Sequence, residues 1–380
     1  MALFSSQITQ ATGKARSLLA ERSVRTEIAD AGRGIEQADH VIFFAEGPGQ
    51  FYQLGVWLAT FERLASQGLK VGVVLMDALS AREALAATSL PILFSRSIEQ
   101  IETKLREWDT KSINYVNNAQ RNFTMLRLNG PAHIHLNHGE SEKASMVSNQ
   151  LKAYDFACVA GPAAVERITE NIARFDPKHL VQIGRPQLDE LELPRPSEKI
   201  RVLYAPTWEG DSKAMAYSSV STLGERILAQ LTSDERFEVR FRPHPKTGDV
   251  SAEAKKAVTG LKSAYAQTLD PVGDAAQSMV WADVAICDTS AMAYDAVALN
   301  IPLLLSGDRP SKLLDGLPLG QHLGNANGLA QRVAELAASG VAGAQKQLAQ
   351  YFFATTEPGV ATKKLNQLLN GLPSWRPSAA

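Results

Sequence analysis

The sequence predicts an α/β protein made of two parallel-sheet domains, and three observations carry that expectation. Its 380 residues exceed what one hydrophobic core ordinarily organises. Short apolar runs alternate with longer stretches of helical spacing, the pattern of strand–helix–strand units whose strands lie parallel. A polar stretch bearing Pro194, Pro196 and Ser197 separates two such series. The domains are expected over residues 1–190 and 200–345, with 346–380 a C-terminal helix that crosses back to the first domain.

Taken in order, Val41 to Ala45 reads as a strand broken by Gly47-Pro48-Gly49, Phe51 to Gln67 as a helix, and Val71 to Met76 as the next strand. Ala132 to Asn137, Phe156 to Ala160 and Leu180 to Ile183 continue the first series. After a linker at Leu191 to Lys199, the second series runs through a strand at Ile200 to Tyr204, a helix at Leu223 to Leu231 and a strand at Glu238 to Arg242. It continues with a strand at Val284 to Cys287, a helix at Ala291 to Leu299 and a strand at Leu303 to Leu305. Leu329 to Leu336 and Lys346 to Leu372 have helical spacing.

Composition narrows the class of function. A chain that is 45% hydrophobic and 21% charged, with a net charge of −1, is neither disordered nor a general polyanion binder, so no nucleic-acid partner is expected. Cys158 and Cys287 sit in apolar runs without ligand spacing and read as buried thiols of a reducing compartment. Met1 to Thr12 carries no apolar signal-type core, and no window approaches ~20 consecutive apolar residues. The expected location is the cytoplasm, with Lys14, Arg16, Arg22 and Arg25 around Leu18 and Leu19 as a weakly basic helix that could touch a membrane surface.

Open parallel sheets bind ligands beyond the carboxyl ends of their strands, so polar residues just after strands are the candidates. Four groups qualify: His138-Gly139, Thr207-Trp208, Arg242-Pro243-His244-Pro245 and Asp288-Thr289-Ser290. Thr289 or Ser290 can cap the following helix and leave backbone N–H groups and the positive end of its dipole for a phosphate. His244 is held between two prolines, with Arg242 beside it to complement anionic oxygens. Gly139 gives a substrate room next to His138, whose imidazole has the pKa range of a base near neutral pH. His133 and His135 fall on the other face of their strand and read as structural. No Gly-x-Gly-x-x-Gly, Gly-Lys-Ser/Thr, Gly-x-Ser-x-Gly or strand-end Asp-x-Asp occurs, so neither a metal nor a cofactor is expected.

Five ordered motifs over Ala132 to Leu305 resemble the CDP-glycerol glycerophosphotransferase family. Asn137-His138-Gly139 is similar to its Trp-His-Gly, Gly184 to Asp189 to its Gly-x-Pro-x-x-Asp, and Tyr204 to Trp208 to its Tyr-Ala-Pro-Thr-Trp. Arg242 to Pro245 is similar to Arg-x-His-Pro, and Ala282 to Asp295 to a Ser-Asp-x-x-Ile-Thr-Asp-Tyr-Ser-Ser-x-x-x-Asp segment. The resemblance implies a GT-B fold of two Rossmann-like domains. It also implies transfer of glycerol phosphate or a related polyol phosphate from a CDP-activated donor to a hydroxyl acceptor, lipid-linked or saccharide, with peripheral membrane contact. By resemblance, His138 and His244 are catalytic, His138 as base. Gly139, Lys143, Thr207, Trp208, Arg242, Asp288, Thr289 and Ser290 bind substrate.

The chain departs from that pattern in carrying Thr289 for the family's tyrosine, Ala291 for its second serine, and Glu140-Ser141-Glu142-Lys143 for Thr-Pro-x-Lys. Two other readings stay open: a GT-B glycosyltransferase or UDP-N-acetylglucosamine 2-epimerase-like enzyme, and a CDP-binding protein without catalysis.

Overall fold

The computed structural model describes residues 20–142, 146–189, 191–192, 194–210, 218–306 and 311–374. Residues 20–30 form helix α1. The first half continues with β1 His40–Phe44, α2 Tyr52–Ser66, β2 Val71–Leu75, α3 Ala78–Ala87, β3 Ile92–Phe94, α4 Ile98–Glu107 and β4 Ser112–Tyr115. Then come α5 Phe123–Leu126, β5 Ala132–His135, β6 Phe156–Val159, α6 Pro162–Asn171 and β7 Leu180–Gln182. The second half contains β8 Ile200–Ala205, α7 Val220–Thr232, β9 Phe237–Phe241, α8 Ala252–Ala264, α9 Ala275–Trp281, β10 Val284–Asp288, α10 Ala291–Ala298 and β11 Leu303–Ser306. Helices α11 Lys312–Gly316, α12 Leu329–Ser339, α13 Gly343–Phe352 and α14 Val360–Asn370 follow.

Among the described residues the strands form a seven-stranded sheet, ordered β3-β2-β1-β4-β5-β6-β7, and a four-stranded sheet, ordered β11-β10-β8-β9. Every strand pairing in both is parallel. Parallel strands need crossovers that cover both faces, which is why β1, β2 and β10 are buried along their whole length. The strand order reverses between β1 and β4 in one sheet and between β8 and β10 in the other. Such reversals leave a crevice beyond the carboxyl ends of the strands.

The sequence reading passed over β3, β4, α3, α4, α8 and α9. Strand β4 is central, yet its Ser-Ile-Asn-Tyr carries two polar residues. Both find partners inside the sheet: Asn114 Nδ2 donates to the Val41 carbonyl at 3.0 Å and to Ser112 Oγ at 3.0 Å, and Ser112 Oγ also meets His40 Nδ1 at 2.9 Å, while Asn114 Oδ1 is buried without a partner among the described residues.

The expected single helix over Lys346 to Leu372 is two, α13 and α14, separated at Pro358-Gly359, where the missing proline donor and a φ of +80° at Gly359 interrupt helical geometry. Leu365 and Leu369 of α14 enter the core formed by Leu54, Trp57 and Leu64 of α2, while Phe352 and Phe353 pack with Ala160 and Ala163 of the first half and Tyr294 of the second. Asp189 accepts the Thr362 N–H at 2.5 Å, which fixes the start of α14. Gly184, at φ +83°, allows this approach, because a Cβ there would lie 2.9 Å from the Thr355 methyl. The Gly184-to-Asp189 motif is therefore a docking point for the C-terminal helix.

Cys158 and Cys287 are buried and unpaired with each other, and burial pushes the Cys158 thiol up to about 12. No helix of the described residues is long and apolar enough to cross a membrane. Lys14, Arg16, Leu18 and Leu19 lie outside the described residues. Arg25 on α1 sits over the Phe94 ring at 5.5 Å.

Candidate functional site

Chain geometry assembles a site from the strand ends of both sheets. After β5, Asn137 adopts a left-handed backbone, φ +60°, which asparagine tolerates because its side chain can bond locally. Its Oδ1 accepts the His138 N–H at 2.8 Å and its Nδ2 donates to the Gly139 carbonyl at 3.0 Å. The Trp57 indole donates to the Asn137 carbonyl and pins this turn to α2. His138 thus stands on a braced loop.

The His138 ring hydrogen-bonds the Val116 carbonyl, and its Nδ1 is buried without a hydrogen-bond partner among the described residues. Burial lowers its pKa to about 4, and the positive charges of Arg185 and Lys246 act in the same direction against the Val116 bond. The imidazole is therefore neutral at pH 7, with a proton on one nitrogen and a lone pair on the other.

Gly139 touches the second half directly: a Cβ there would lie 2.9 Å from Ala291 Cβ, the first residue of α10. Ser290 occupies the N-cap position in an extended conformation but makes no side-chain cap bond. The Ser290 and Thr289 hydroxyls are both buried and unpaired among the described residues. The cap expected from the sequence is thus a matter of backbone position alone, and two hydroxyls remain beside free helix-terminal N–H groups.

Asp288 acts on the loop after β8. Its Oδ2 accepts the Thr207 N–H at 2.8 Å and the Ser219 N–H at 3.1 Å. Next to Thr207, Trp208 stacks on His244 with ring centroids 6.2 Å apart, and Lys246 Nζ lies 5.0 Å over the indole. His244 Nδ1 accepts the Lys246 N–H at 3.1 Å.

One residue absent from the sequence reading joins the two histidines. Tyr52, the first residue of α2, meets the His138 ring at 5.9 Å and the His244 ring at 5.6 Å, nearly perpendicular to both.

Arg242 does not join this group. Its guanidinium donates to Asp270 Oδ2 at 2.7 Å, Ser278 Oγ at 3.0 Å and the Val272 and Gly273 carbonyls at 2.5 and 2.7 Å. Those bonds, made through the two terminal nitrogens, tie Arg242 to the loop at 270–273. Lys143 lies outside the described residues. His133 bonds Tyr115 Oη at 2.7 Å and the Leu128 carbonyl at 2.9 Å, a packed structural role.

Of the acidic residues after Gly139, Glu142 bridges the halves and Glu140 stays within the first. Glu142 accepts the Lys312 and Leu313 N–H groups, each at 2.9 Å, and the Tyr294 hydroxyl at 2.9 Å, so a first-half carboxylate caps α11 of the second half. Glu140 pairs with Arg167 at 2.5 Å, and Arg185 grips Asp295 of α10 through two bonds of 3.0 and 2.9 Å. Desolvation raises both carboxyls above the ordinary range despite their arginine partners. No group of three or more His, Cys, Asp or Glu able to hold a metal occurs among the described residues.

Comparisons with known proteins agree with this architecture. The wall teichoic acid polymerase TagF matches with a TM-score of 0.58 and 15% identity, covering 96% of this chain and 97% of that one. A putative UDP-N-acetylglucosamine 2-epimerase from Listeria monocytogenes matches at 0.55 and 12%, covering 90% and 100%. S. aureus MnaA, solved with UDP, matches at 0.55 and 12%, covering 89% and 99%. These likenesses establish the GT-B type of fold. No curated protein gives a significant match to the sequence. A family profile described as CDP-Glycerol:Poly(glycerophosphate) glycerophosphotransferase matches residues 97–306, a span holding His138, His244 and Ser290. The chain belongs to that family of glycerophosphotransferases.

Proposed function

We propose that the protein moves glycerol phosphate, or a related polyol phosphate, from a CDP-activated donor to an acceptor hydroxyl with release of CMP, in the synthesis of a teichoic-acid-like or capsular polymer. The observation that carries this reading is the meeting of His138 and His244, one from each sheet, beside a helix start whose hydroxyls are unpaired. Support also comes from TagF, which has been solved as a histidine variant soaked with CDPG.

In this reading the acceptor oxygen attacks the phosphorus that bears the glycerol. A new P–O bond forms, the bond to the bridging oxygen breaks, and its electron pair leaves with CMP. His138 takes the acceptor proton on its unprotonated nitrogen, which is the base form above pH ~4. His244 and the Thr289 and Ser290 hydroxyls, with the N–H groups at the start of α10, stabilise the phosphoryl oxygens. Gly139 lets the His138 loop close against the start of α10, Trp208 holds His244 in orientation, and Asp288 with Thr207 keeps the loop in place. The enzyme works in the cytoplasm, reaching a lipid-linked or saccharide acceptor by peripheral contact with the membrane.

The test is CMP release from CDP-glycerol, with UDP-N-acetylglucosamine as the competing donor. Wild-type enzyme releases CMP, and His138→Ala loses about 100- to 10,000-fold in turnover while keeping CDP affinity. Turnover of the UDP-sugar alone, or near-normal turnover of His138→Ala, overturns the assignment.

A further inference from the structure

We infer that Tyr52 is a positioning residue of the transfer site: its ring wedges between His138 and His244 and holds the two imidazoles at their working separation across the cleft. The inference rests on the function proposed above.

Position in the fold is the first argument. Tyr52 follows β1 and faces the reversal between β1 and β4, where an open parallel sheet presents its ligand crevice. Val116, whose carbonyl holds His138, follows β4 on the other side of that same reversal.

Contact geometry is the second. The ring planes of Tyr52 and the two imidazoles differ by 87° and 80°, edge-on arrangements that aromatic rings favour and that fix direction as well as distance. Each imidazole has its own support, from Val116 on one side and from the Lys246 N–H and Trp208 on the other. Tyr52 is the one ring among the described residues that meets both.

The third argument is how the ring is held. Gln53 Nε2 donates to the Tyr52 hydroxyl at 3.2 Å, and Gln53 Oε1 accepts from Asn117 Nδ2 at 2.8 Å. The Asn117 carbonyl in turn accepts from Asn122 Nδ2 at 2.7 Å. A chain of neutral amides thus carries Tyr52 onto the strand end that also carries Val116, so ring and base share one frame. The half-buried ring also shields His138 from water, and the remaining groups acting on that imidazole are Arg185, Lys246 and His135.

The experiment uses full-length protein and the variants Tyr52→Phe and Tyr52→Leu, with Tyr52→Met repeating the comparison should the leucine variant unfold. Tyr52→Phe loses the Gln53 bond but keeps the ring and both edge contacts, and is expected to retain kcat within about threefold. Tyr52→Leu loses the two edge contacts, and kcat is expected to fall about 10- to 100-fold, the scale of an ångström-sized misplacement, with the CDP-glycerol KM nearly unchanged. Imidazole titration by NMR provides a second readout. With the ring gone, water reaches His138 and its pKa rises from about 4 by about one unit, carrying the acid limb of the rate profile upward.

Tyr52→Leu with wild-type kcat and an unmoved His138 titration overturns the inference. So does Tyr52→Phe as impaired as Tyr52→Leu, since the hydroxyl and not the ring would then matter. The titration needs no turnover: a wild-type enzyme that fails to release CMP sinks the functional reading while the two imidazoles still decide the role of Tyr52.

Discussion

Replacing Gly139 with alanine tests the closest approach between the halves. The new Cβ would lie 2.9 Å from Ala291 Cβ, where ordinary contact begins at 3.4 Å, so the two must part by at least about 0.5 Å. The loop has little slack, because Asn137 bonds both the His138 N–H and the Gly139 carbonyl, and Glu142 fastens the same loop to α11. Overpacking of this kind costs about 1–3 kcal/mol. If that strain falls on the aligned reacting state, kcat drops about 5- to 150-fold. Steady-state CMP release measures it, with CDP calorimetry to show that donor affinity changes less. The compensating variant is Ala291→Gly, which removes the opposing Cβ at a helix-propensity cost of about 1 kcal/mol or less. Gly139→Ala with Ala291→Gly should recover most of the loss. Unchanged kcat in Gly139→Ala, or a double variant as poor as the single, would refute this reasoning.

Three further outcomes follow from the same geometry. His244→Ala and Ser290→Ala should each weaken CDP binding by about 1–3 kcal/mol in calorimetry. Ser290→Ala should leave the melting temperature of the free protein unchanged, because the hydroxyl it removes is unpaired there; full affinity in both would put the donor elsewhere. CMP release should persist in excess EDTA, since Asp288 Oδ2 is already occupied by two backbone N–H groups. Activity lost to EDTA and restored by magnesium would give Asp288 a ligand role instead. Burial lowers His40, His135 and His138 to about 4, 3 and 4, so below pH 6.5 the unfolded chain binds protons that the folded one does not. Each should remove about 2 kcal/mol of stability between pH 6.5 and 5, read as a falling melting temperature; a flat profile over that range contradicts their burial in neutral form.

What the sequence made legible is the set of strand ends. The strands that end before Thr207 and at Asp288 were plainest, because β8 and β10 are buried almost throughout and leave a hydrophobic signature, whereas β9 before His244 carries Glu238 and Arg240 and is partly exposed. Strand β4 escaped because Ser112 and Asn114 find their partners inside the sheet, which composition cannot reveal. Helix α3 carried a readable signal in Asp77, whose side chain accepts the Leu79 and Ser80 N–H groups at 3.0 and 2.9 Å. Arg242 was read together with its neighbour His244, and the acceptors that hold it stand 28 to 36 residues further along the chain, out of reach of any local pattern. Tyr52 falls inside the helix read at Phe51 to Gln67, with nothing local to single it out. Its contact with His244 spans both halves, and no local pattern encodes it.

The return of α14 to the first half has a mechanical consequence. The chain passes between the halves twice, once through the stretch before β8 and again between Phe353 and Gly359, where the Ala354 N–H bonds the Ala160 carbonyl at 2.8 Å. Bodies joined at one point can swivel about three axes; joined at two, they turn easily only about the line through both joints. Any relative turning of the two halves is then confined to the line through both joints. The meeting of His138 and His244 at Tyr52 is thereby set by the fold itself, and the entropy of bringing the two imidazoles together is surrendered when the chain folds.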